Sequence, residues 1–190
     1  VTLRAGTAWT IGSWGWFRES AVASDTATGT YGKFLENLYD EICNSAALDA
    51  AVASGTPSNH VRLGREIEKA GDSPTRAELI AVGPVIEIIP QPCEFAPHTE
   101  QHAAGELRAT VVIHQAYDQS DSATLIAQIN FLDALRQELL QGADGTGGAA
   151  SWLDRGGNVR IAVDGPHDSG QPVDELITEM TVTAFWPEDV

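Results

Sequence analysis

Hydrophobic residues along this chain recur at a period of two in some stretches and near 3.6 in others, and the switches mark out the elements. From Gly105, Leu107, Ala109, Val111 and Ile113 alternate with Arg108, Thr110, Val112 and His114, which predicts a strand with one apolar and one mixed face. After the turn-forming run Asp118 to Ser122 the spacing changes. Leu125, Ile129, Leu132, Leu135 and Leu139, with Ile126 beside them, form one stripe of an amphipathic helix. Asp121 or Ser122 is placed to cap it, and Gly142 to end it in a left-handed turn. The two apolar surfaces can cover each other, so this unit is the expected core.

Tyr31, Phe34, Leu35, Leu38, Tyr39 and Ile42 give a first helix from Tyr31 to Cys43, and Ala46 to Ala53 extend it or form a short second one before Gly55-Thr56-Pro57. Ser58 to Gly83 is a long charged excursion with a turn at Gly71 to Pro74. Pro84 and Pro90 bracket the strand Val85-Ile86-Glu87-Ile88-Ile89, which favours a place near the sheet edge or an abrupt end. Two further strands close the chain, one carrying Val159, Ile161 and Val163, the other Leu176, Met180, Val182, Ala184 and Trp186, ending at Pro187. The order α-β-β-α-β-β predicts an α+β two-layer sandwich: a roughly four-stranded sheet with two amphipathic helices on one face. Residues 31–190 form the expected single domain. Residues 1–30 form an N-terminal arm whose Trp9, Trp14, Trp16 and Phe17 are candidates for contacts between copies.

Charge alters the picture more than composition does. Of 190 residues, 43% are hydrophobic and 20% charged, as in ordinary globular domains, but the net charge is −16. Seven basic and twelve acidic residues precede Ala96; four basic and fifteen acidic follow from there. So acidic a chain lacks the lysines and arginines that displace counterions from a phosphate backbone, although it could surround DNA without gripping it. No run of eighteen apolar residues occurs, so no membrane span is expected. The first residues lack a basic-then-apolar leader pattern, and two cysteines point to a reducing compartment.

The search for reactive groups yields little. Cys93, His98 and His102 stand at C-x4-H-x3-H spacing near Glu94 and Glu100, which would suit a small metal-dependent hydrolase, but a fourth ligand and a tight cysteine pair are missing. Gly12-Ser13-Trp14-Gly15 lacks the first glycine and the preceding strand of a nucleophile elbow. Cys43 lies on the apolar side of the first helix. Cys93 has Glu94 beside it, which disfavours a thiolate. The Gly145 to Gly148 and Gly156-Gly157 stretches have neither the Walker lysine nor the dinucleotide-binding order. No catalytic residue, metal or cofactor is therefore assigned. An acidic DNA-mimic module is a further class that the charge alone permits.

The helix around Phe34-Leu35-Leu38-Tyr39, the strand PVIEIIPQP, the strand ELRATVVIHQAYD running into ATLIAQINFLDALRQELL, and the closing pair NVRIAVDG and ELITEMTVTAFW together resemble the tail terminator, or neck, proteins of long-tailed bacteriophages. The resemblance spans roughly Tyr31 to Pro187 and is one of pattern and order. The aromatic arm and the charged excursion depart from the family's compact form. The resemblance implies a non-enzymatic virion protein, made in the host cytoplasm, that forms a ring, commonly a hexamer. The ring joins the tail-tube protein to the head connector and passes DNA through its lumen. A head-completion adaptor is the neighbouring alternative. Asp118, Asp121, Asp144, Asp154 and Asp168 are the loop carboxylates such a lumen could display.

Overall fold

A computed structural model of the chain describes residues 30–64, 74–97, 102–117, 122–144, 159–168 and 175–189. Helix α1 is Thr30–Cys43 and α2 is Ala46–Ala51, and a 3-10 turn at Pro57–His60 leads into β1, Val61–Leu63. Then come α3 (Arg76–Ile80), β2 (Val85–Pro90), β3 (Glu94–Pro97) and β4 (His102–Ala116). Helix α4 is Ser122–Asp144, β5 is Val159–Asp168 and β6 is Glu175–Asp189. The sheet runs β1-β2-β4-β6-β5, and β3 pairs with the start of β4. β1 is parallel to β2, and the remaining pairs are antiparallel.

Register explains which residues share a face. Ile86 and Ile88 lie opposite Ile113 and Val111, and Met180, Val182 and Ala184 lie opposite Val111, Ala109 and Leu107. This apolar face meets Phe34, Leu35, Leu38 and Ile42 of α1, Leu48 of α2, and Phe131, Leu132, Leu135 and Leu139 of α4. The strand alternation and the first helix are thus as the sequence predicts. In α4 the predicted Leu132, Leu135 and Leu139 are core, and only the first turns of the stripe differ. Gln128 and Phe131 turn inward, while Ile126 and Ile129 are 58% and 40% exposed.

Several expectations are corrected. The sheet has five strands in its path rather than four, because the charged excursion contains β1 and α3. The helices are not all on one face: Leu79 and Ile80 of α3 bury themselves with Val85, whose side chain is opposed to that of Ile86, so α3 covers the other face. β2 lies one strand in from the edge, beside the three-residue β1, near the sheet edge as its bracketing prolines predict. Its prolines are tolerated because β1 pairs only with Ile86, Glu87 and Ile88, leaving both bracketing positions beyond its reach. Gly142 does not stop α4, which stays helical to Asp144, and β6 runs through Pro187 to Asp189. Of the arm, residues 1–30, Thr30 is the first residue of α1, and the rest, with Trp9, Trp14, Trp16 and Phe17, lies outside the described residues.

Candidate functional site

Where α3 crosses the second sheet face, charged side chains are gathered away from water. His114 of β4 is 6% exposed, Glu175 of β6 is 8% and Glu87 of β2 is 7%. The strand registers put them together: His114 is next to the β4–β6 pair Ala116–Glu175 and next to the β2–β4 pair Glu87–Val112, all on one face. Thr75 starts α3 with a capping box. Its hydroxyl accepts from the Glu78 amide at 3.3 Å, and its own amide donates to Glu78 Oε2 at 2.8 Å. That cap aims Arg76, the first helical residue, at the sheet. Its guanidinium donates to Glu175 Oε1 at 2.5 Å and also touches His114 Nδ1.

The imidazole lies between two carboxylates. Nδ1 is 2.5 Å from Glu175 Oε1, and Nε2 faces Glu87 Oε2 at 3.7 Å, too long for a hydrogen bond. Arg62 of β1 stands beside Glu87 in the parallel register. Two arginines and two glutamates therefore balance around one histidine, which is what burial of charge demands. His114 and Glu175 have the contact of a catalytic dyad, but Nε2 points at a carboxylate rather than at a hydroxyl, a thiol or an open cleft. The arrangement is a clasp tying α3, β2, β4 and β6 together. Sequence reasoning placed His114 on the mixed face of its strand and missed its partners. The readable signal was Thr75-Arg76-Ala77-Glu78, a capping-box sequence inside the charged excursion.

The other predicted residues fall elsewhere. Asp144 ends α4, before the 145–158 connection, and Asp168 ends β5, before the 169–174 connection; Asp118, Asp121 and Asp154 are outside the described residues. Cys93 is half-buried against the main core, and His102 opens β4; His98 is outside the described residues. Among the described residues no group of three or more His, Cys, Asp or Glu side chains could hold a metal ion. Cys43 is half-buried, and loss of water contact pushes its thiol up to about 11.

A second feature lies at the sheet's far edge. Between α4 and β5 runs a shallow groove lined by Ile129, Leu132, Asp133, Arg136, Ile161 and Val163. Val163 is 44% exposed, Ile126 continues the apolar strip along α4, and β5 is the last strand of the sheet. No protein-family model matches the chain, and no curated protein matches it. The geometry by itself defines an α+β protein with a mixed, open sheet.

Proposed function

We propose that the chain is a structural subunit of a tailed-phage neck. It forms a ring of the tail terminator kind, bound on one side to the tail-tube protein and on the other to the head connector. The observation that carries this reading is the fold of the helix–strand order on which the resemblance rests. It makes one sheet backed by its two long helices, with much of the opposite face open. On that face Arg108, Arg160, Ala162, Glu179 and Phe185 are exposed beyond the reach of α3. A closed ring needs two unlike surfaces on each subunit, and a helix layer and a bare sheet face are unlike. The net charge of −16 suits a lumen through which DNA slides, because like charge removes the counterion-release drive for binding.

Negative-stain imaging of the purified protein, alone and mixed with purified tail tubes, tests the proposal. Rings, or a cap at one tube end, are expected. Isolated monomers in both samples would overturn it.

A further inference from the structure

The groove between α4 and β5 carries its own specification for an occupant. Its floor is apolar, with Ile161 and Leu132, and its rim holds two opposite charges one helical turn apart, Asp133 and Arg136. Neither has a salt-bridge partner among the described residues, unlike Arg76 or Arg108. Beside them β5 offers an edge that no described strand pairs. The bulge between Asp164 and His167 confines any regular extension of that edge to about Val159–Val163. Exposed Ile126, Ile129 and Val163 flank the same strip.

We propose that a second copy of this chain occupies this surface about a two-fold axis, β5 pairing antiparallel with its counterpart and α4 packing against α4. The charge pattern selects this occupant. Under a two-fold axis passing between Asp133 and Arg136, Asp133 of each chain faces the partner's Arg136, so the surface is complementary to itself. The same axis sets Ile161 opposite its own copy and Val159 opposite Val163, which matches the short unbulged edge. Val159, Ile161 and Val163 share the sheet face on which α4 packs, so strand pairing and helix contact are made together. The two sheets would thereby become one continuous sheet, removing an exposed edge that would otherwise template aggregation. The contact does not depend on the virion reading: it joins chains in pairs whether or not other surfaces close a ring.

Light scattering on the eluting full chain, over a wide concentration range, tests it. The expected mass is an even multiple of the chain. Asp133→Arg sets like charges across the axis and halves the mass, and adding Arg136→Asp to it restores the mass. Val163→Asp, at an exposed position, also halves it, with circular dichroism reporting whether each variant is folded. A wild-type chain that is monomeric throughout would overturn the proposal. So would an assembly whose mass survives both Asp133→Arg and Val163→Asp. A ring built through other surfaces alone would give that second result, so failure of this contact and failure of the ring are distinguishable.

Discussion

The Ser45 hydroxyl and the Glu138 carboxylate lie 2.5 Å apart, and they join the first two helices to the fourth. Ser45 is the N-cap of α2, its Oγ accepting from the Leu48 amide at 3.2 Å while donating to Glu138 Oε2. Glu138 Oε1 accepts the Ala47 amide at 3.1 Å, so one side chain of α4 satisfies an orphan amide at the start of α2 together with the Ser45 hydroxyl. Glu138→Ala strands these donors and removes a favourable charge from a helix start. A loss of about 1–2 kcal/mol is expected in denaturant unfolding. Ser45→Ala should behave similarly, and the double variant should cost less than the sum.

That junction has a drawback at Glu41, whose pKa is raised, first by desolvation and then by the charge of Glu138. A carboxyl that holds its proton more tightly when folded favours the native state most below its unfolded pKa, and the benefit is lost as pH rises through the folded value. Glu41→Gln should therefore raise the melting temperature at pH 7, with the gain shrinking toward pH 4. A gain that is equal at both values would show that Glu41 ionisation is not the cause.

His60 has the opposite sign. It is 1% exposed, Nδ1 donates to the Pro84 carbonyl at 3.0 Å, and burial lowers its pKa. The unfolded chain binds the proton more readily, so stability falls as pH drops below about 6.5, the usual histidine value. His60→Asn, with an amide near the position of Nδ1, should lose less of its melting temperature between pH 7.5 and 5.5 than the wild type. An equal loss would place the acid sensitivity elsewhere.

These two helices, the strand alternation and the closing strands were legible because their apolar residues fill one long-range core at regular spacing. Phe34, Leu38, Ile42, Val111 and Ile113 follow their periods and are fully buried. Leu132, Leu135 and Leu139 of α4 were equally legible, but the first turns of its stripe were not. Ile126 and Ile129 look like core by hydropathy, while Gln128 is buried with its amide donating to the Ala116 carbonyl. β1 and α3 were missed because three and five residues are too short for periodicity, and α3 is set by its cap and by Arg76. The clasp is a tertiary fact: Arg76, His114 and Glu175 are brought together from three separate elements, and no local pattern marks them.

Tyr31 shows how such long-range polar contacts shape the sheet. Its hydroxyl lies 2.6 Å from the Gln91 carbonyl and 3.0 Å from that of Arg108, donating at the bend where β2 gives way to β3 along β4. Desolvation pushes the phenol up to about 12, so it remains a donor through the alkaline range. Tyr31→Phe removes the donor and keeps the ring stacked 6.2 Å from Phe34. A cost of about 1 kcal/mol is expected, measured by urea unfolding.

The clasp itself yields the sharpest stability prediction. Glu175→Ala leaves the Arg76 guanidinium and the His114 ring without their shared carboxylate in a site that is largely closed to water. Removing one partner of a buried pair costs roughly 3–5 kcal/mol, and the lower end applies because the Arg76 side chain is 29% exposed and can reach solvent. Arg76→Ala should cost less than Glu175→Ala, since Glu175 retains His114 Nδ1. The double variant should be close to Glu175→Ala alone, because most of that penalty is the stranded cation. Urea unfolding of the three variants checks this. Strictly additive losses would mean that the two side chains act independently and that α3 is held by Leu79 and Ile80 alone.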